Sequence, residues 1–206
     1  MPGERSSRST DALWMCSGFC AALVLAVGVL ALRGANEDGI HAALAATARL
    51  MFLLFWPAYS ASALASLFGP AFLPLKQRAR EFGLAFTSAL PVHLGLIGLL
   101  CLIGAAPDIS TFIFFGTAAA SAYLLALFSI DRFRQALGPG YWWLLSNIGM
   151  NYLAYAFIVD FLRDPLDGGI KHVIKYLPFA VLAIAGPSLR LAAFAQWAGR
   201  KRRGPS

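Results

Sequence analysis

Charge is what this sequence has least of. Asp, Glu, Lys and Arg together make up 13% of its 206 residues, about half of the ~25% found in an ordinary soluble domain. A water-exposed surface cannot be built from so few charges, so a soluble globular fold is excluded. Cysteine is scarce too: Cys16, Cys20 and Cys101 form no CxxC pair and no metal spacing with histidine. Cys16 and Cys20 lie four apart on one helical face and read as small apolar packing residues. There is no internal repeat, which argues against the repeat-built transporter architectures. There is no low-complexity segment beyond a short polar N-terminus. No basic face on a soluble module exists either, so nucleic acid is excluded as a partner despite the net charge of +7.

What remains is apolar. Hydrophobic residues make up 59% of the chain and mean hydropathy is +0.67, so the lipid bilayer is the expected solvent and partner. The expectation is an all-α membrane protein with six transmembrane helices, at residues 12–32, 50–73, 82–104, 109–130, 141–162 and 176–198. The second could extend back to residue 40. The domain plan is a disordered N-terminus over residues 1–11, a membrane domain over 12–198 and a basic tail over 199–206. The first apolar block is too long for a signal h-region and has no small-x-small cleavage site after it, so it reads as a retained helix. Pro57, Pro91 and Pro187 should kink their helices. Ser60-Ala61-Ser62-Ala63, and Gly116 with Ala120, read as packing seams.

Lys and Arg set the orientation. With the N-terminus inside, cytoplasmic segments hold Arg5, Arg8, Lys76, Arg78, Arg80, Arg132, Arg134, Arg190 and the run 200–203, twelve in all. The other side holds five: Arg33, Arg49, Arg163, Lys171 and Lys175. The bias is N-in, C-in, and the short loops suit a bacterial inner (plasma) membrane.

Ionisable and amide groups at membrane depth are the candidate site. Counted along the helices, His93, Asn151 and Arg190 fall at similar levels, and Asn147 shares a helical face with Asn151 and Tyr155. Each also has a plainer reading. His93 could be neutral and bonded to a carbonyl, the asparagines could be interhelical glue, and Arg190 could snorkel toward headgroups. The sharper reading is one polar pocket between the third, fifth and sixth helices. Such a pocket suits a haem, with imidazole on the iron and guanidinium on a propionate. His41 and His172 lie at the outer helix ends and read as solvated loop residues.

Two stretches carry a resemblance. One is Arg80-Glu81-Phe82-Gly83-Leu84-Ala85-Phe86, followed by His93. The other is Ser129-Ile130-Asp131-Arg132, then Leu137-Gly138 and Trp142-Trp143-Leu144-Leu145. Together they resemble the ferric reductase-like transmembrane family, and most closely the haem-binding membrane subunits of bacterial protein-methionine-sulfoxide reductase systems. The resemblance implies six N-in helices, haem b and electron transfer, with His93 as a haem ligand. The family's further ligand positions fall on Leu145 and Ile158, which cannot hold iron, so the resemblance implies at most one haem. No flavin or nicotinamide site is present, so electrons would come from a quinone or a redox partner protein. The other class left open is a non-enzymatic scaffold or a small-solute or lipid-binding membrane protein. The sequence assigns no catalytic residue.

The charge bias carries its own test. Reporters fused to the N- and C-termini should both report a cytoplasmic location, and a C-terminal reporter active only on the outer side would overturn the orientation.

Overall fold

The computed structural model describes residues 3–163 and 170–202, without the side chains of 3–8, 131, 132, 134, 163, 170–175 and 202. The side chains of the expected outer charges Arg163, Lys171 and Lys175, that of His172, and tail residues 203–206 lie outside that description. Every regular element among the described residues is a helix: α1 (Gly3–Arg33), α2 (Glu37–Phe68), α3 (Leu73–Gln77), α4 (Ala79–Leu102), α5 (Ile109–Phe128), α6 (Asp131–Leu137), α7 (Pro139–Arg163) and α8 (Ile170–Arg202), with a 3-10 turn at Pro70–Phe72. Five of them are long and apolar enough to cross a membrane, namely the segments Ser9–Arg33, Glu37–Phe68, Ala79–Leu102, Ile109–Phe128 and Tyr176–Lys201. α7 is not in that set. It is 25 residues long, but Ser146, Asn147, Asn151 and Asp160 dilute its apolar content.

Local chemistry explains the boundaries. Asn36 caps α2, its side chain accepting from the Gly39 amide at 2.9 Å. Here α2 starts well before residue 50, through the alanine-rich stretch, and stops at Phe68 rather than Leu73. Gly69 takes φ 82°, a conformation that glycine adopts freely, and Pro70 cannot continue the helix. Asp108 caps α5 by accepting from the Thr111 amide at 3.1 Å. α1 begins at Gly3, inside the segment expected to be disordered, and α8 continues to Arg202, into the expected tail. Pro57, Pro91, Pro178 and Pro187 all sit inside helices.

α2 is the central element. In its apolar window 44% of residues are buried, against 17% for α1 and 11% for α5. It packs on α1, α4 and α8; α4 reaches α5, α5 packs on α7, and α7 on α8. The result is a ring of α2, α4, α5, α7 and α8, with α1 outside against α4 and α2. One end of the bundle, here the basic end, carries Lys76, Arg78 and Arg80. The outward faces are apolar and exposed, as at Val24, Ile113, Leu124 and Val181.

The small residues divide into two uses. Ser60, Ala61 and Ala63 are buried along α2, as a packing seam requires. Gly116 and Ala120 on α5 are exposed, and a Cβ on Gly116 would meet nothing within 4 Å. That pair is not a seam, because no helix approaches it. The close approach is instead between α1 and α4, where a Cβ on Gly18 would lie 2.4 Å from the Ala85 carbonyl oxygen. Gly18→Leu is therefore expected to unseat α1 and cost about 2 kcal/mol or more. Thermal unfolding in detergent checks this, and an unchanged midpoint would mean that α1 does not rest on α4 as described.

Candidate functional site

Thr47 is fully buried on α2, one helix away from His93 on α4. Its hydroxyl lies 2.9 Å from the Ala43 carbonyl and 3.1 Å from that of Leu44, so its own helix offers acceptors for its single proton. The same oxygen lies 2.8 Å from His93 Nδ1. With the hydroxyl proton on its own helix, Nδ1–H donates to Thr47 Oγ1 and Nε2 carries the lone pair; with the hydroxyl proton on Nδ1, Nε2 carries the hydrogen instead. Among the described residues no donor reaches Nε2.

The His93 ring lines a cavity of about 720 Å³ between α2, α4, α5 and α7, closed at one side by Tyr176 of α8. Its walls are largely alanine, leucine and phenylalanine. The small residues Ala45, Ala48, Gly116, Ala119, Ala122 and Ala156 create the space that larger side chains would have filled. Polar groups are few: His41, Thr111, Asp160 and Tyr176 join His93 in the lining. His41 is exposed in the second turn of α2, 3.9 Å from Glu37, rather than in a loop. Beside the cavity, the Arg49 guanidinium stacks 4.9 Å from the Tyr176 ring centre and 5.7 Å from that of Phe179. Arg49 Nε is buried without a hydrogen-bond partner.

Asn147, Asn151 and Arg190 are elsewhere. Arg190 donates to Asn147 Oδ1 at 2.8 Å and lies 4.6 Å above the centre of the Tyr59 ring. Tyr59 donates its hydroxyl to Asn151 Oδ1 at 2.7 Å, and Asn147 Nδ2 donates to the Trp143 carbonyl at 2.9 Å. None of the three expected residues lines the His93 cavity. The single pocket expected from sequence is thus two sites. The reason is register: His93 is tied to Thr47 and Asn151 to Tyr59, anchors twelve residues apart on α2, or about 18 Å along its axis. Depth counted from each helix's own end does not register this offset, because α4 and α7 meet α2 at different heights. Tyr155 keeps the face of Asn151 but packs edge-on against Phe114 rather than joining the Arg190 cluster.

A layer of aromatic rings separates the two sites. Phe52 meets Phe157, Phe161 and Phe179 at 5.2, 5.0 and 6.1 Å, and Phe55 meets Phe86 and Phe157 at 5.6 and 5.3 Å. Leu145 and Ile158, at the family's other ligand positions, do not line the cavity. Sequence reasoning missed Thr47 and Tyr59. The available signal was a polar residue on each side of the Phe52–Phe55 stretch in an otherwise apolar helix.

Among the described residues no three His, Cys, Asp or Glu side chains converge as a metal cage. A porphyrin brings its own four nitrogens, so the imidazoles that line the cavity, buried His93 and exposed His41, are the relevant groups. The chain matches no family model, no curated protein and no solved structure.

Replacing Thr47 by valine keeps the shape but leaves His93 Nδ1 without its hydrogen-bond partner. Thr47→Val should destabilise the protein by about 1–3 kcal/mol, and Thr47→Ser should restore most of the loss. Equal unfolding midpoints for wild type and Thr47→Val would refute the assigned hydrogen bond.

Proposed function

We propose that the chain is a six-span membrane protein of the ferric reductase-like type, with both termini in the cytoplasm, that carries one haem in the His93 cavity and serves one-electron transfer. α7 is the sixth span on this reading. It is long enough at about 37 Å, lies between α5 and α8, and its Asn147 and Asn151 accept hydrogen bonds from Arg190 and Tyr59. An even number of spans also agrees with Lys and Arg concentrated beside both termini.

The observation that carries the haem reading is the state of His93. A histidine that ligates a metal through one nitrogen almost always donates a hydrogen bond from the other, which fixes ring orientation and raises basicity. The tautomer with Nδ1–H on Thr47 would leave Nε2 for the iron, and the contact of Thr47 with Nδ1 together with His93 in the cavity lining supports this reading. The cavity volume falls within the range of cofactor sites. Arg49, rather than Arg190, is the cation beside this cavity and the better counter-charge for a propionate, with its unpartnered Nε. Haem b would supply a one-electron couple. The chain would hold the iron through His93, orient that ring through Thr47 and exclude water with its alanine and phenylalanine walls. With leucine and isoleucine at the family's other ligand positions, His93 is the one ligand carried over from the resemblance. Electrons would come from a quinone or a redox partner protein.

One feature favours a second reading, a non-enzymatic protein that binds a lipid or other apolar small molecule. The cavity walls are mainly hydrocarbon and do not themselves require iron. The absorbance spectrum of protein purified from haem-replete cells separates the two. A Soret band that is lost in His93→Ala and kept in Arg190→Gln is expected, and a colourless wild-type protein would rule out the redox reading.

A further inference from the structure

We propose that Arg190, Asn151 and Asn147, set on Tyr59, form an anion site for a phosphate group, separate from the His93 cavity. The donor and acceptor inventory of the cluster is one-sided. Each amide oxygen already accepts a bond, Asn147 Oδ1 from Arg190 and Asn151 Oδ1 from Tyr59, and the Tyr59 hydroxyl faces the guanidinium. What is left in excess is donors, the remaining guanidinium N–H groups and the Asn151 amide. Arg190 carries a full positive charge with no carboxylate against it among the described residues. A group that fills only donors and balances a cation is an anion, and planar guanidinium with amide N–H suits phosphate oxygens.

The arginine is built in rather than left to snorkel. A Cβ on Gly186 would sit 3.2 Å from the Tyr59 ring, so the ring lies beside a residue one turn before Arg190 on α8. The guanidinium covers that same ring. Arg190 thus folds back along α8, away from the exposed basic residues Arg200 and Lys201 where a snorkelling side chain would extend. Asn147 holds it from α7 and Tyr59 from α2, and Tyr59 is held in turn by Asn151. Asn151 is exposed, which leaves the donors reachable from the bundle surface. The phosphate could belong to a lipid headgroup or be free in solution, and both supply the same oxygens.

The test uses full-length protein purified in neutral, lipid-free detergent, with phosphatidylglycerol and inorganic phosphate as separate probes and retention or binding followed by native mass spectrometry. At least one probe should bind the wild type. Binding of the lipid but not inorganic phosphate assigns the headgroup, and binding of inorganic phosphate assigns the free ion. Arg190→Gln should weaken the bound probe tenfold or more, Arg190→Lys and Asn151→Leu less, and Lys201→Gln in the tail should leave it unchanged. Arg190→Lys and Asn151→Leu keep the test decisive where Arg190→Gln does not fold. Failure of both probes on wild type, equal binding by the Arg190 variants, or an equal loss in Lys201→Gln would overturn the proposal. None of these readouts depends on haem.

Discussion

The aromatic layer at the middle of α2 is the contact on which the arrangement of the bundle depends. α2 and α7 hardly approach each other by backbone, and the rings of Phe52, Phe55, Phe157 and Phe161 fill the distance between them, with Phe86 and Phe179 closing the layer from α4 and α8. In a bilayer the hydrophobic effect gives helices little reason to prefer one another over lipid, so association rests on packing and on the few polar contacts available. Ring against ring supplies dispersion and a geometric preference at once. Removing this layer would leave α7 tied to α2 chiefly by the Tyr59–Asn151 hydrogen bond, with its packing on α5 and α8.

The same layer sets the polar chemistry. On one side lies the cavity, where Thr47 turns the His93 ring; on the other, Tyr59 carries Arg190 and the two asparagines. Both sites hang from α2, and the separation of their anchors along that helix keeps them from acting on one small ligand. Each polar group is held by a partner on a different helix, so each also specifies register. Small residues contribute in two opposite ways. At Gly18 and along Ser60–Ala63 they allow helices to close, whereas at Gly116 and the α5 and α7 alanines they leave a volume that no helix fills. A void lined by hydrocarbon inside a membrane bundle calls for an apolar occupant, which is why the proposed function centres there.

An all-helical fold with helices long and apolar enough to cross a membrane was legible in the residues because it follows from local quantities. Apolar runs, sparse charge and short loops each constrain a single segment, and the five strongest spans agree with expectation to within several residues at most ends. The start of α2 was the exception. Its alanine-rich beginning is weakly apolar, and the Asn36 cap decided its length. His93 was also visible, since an imidazole inside an apolar run stands out without any knowledge of its neighbours.

Which polar groups meet was not legible. The sequence alone determined that His93, Asn147, Asn151 and Arg190 lie in helices of an apolar bundle, because composition is a property of the chain. Only the tertiary structure decided that the last three join Tyr59 while His93 joins Thr47, because that depends on the stagger of one helix against another. Stagger is set by side chains far apart in sequence, here the phenylalanines of four helices, and no single span records it. The cavity has the same origin: alanine and glycine read alike whether they face a neighbour or a void, and only the path of the surrounding backbones distinguishes the two.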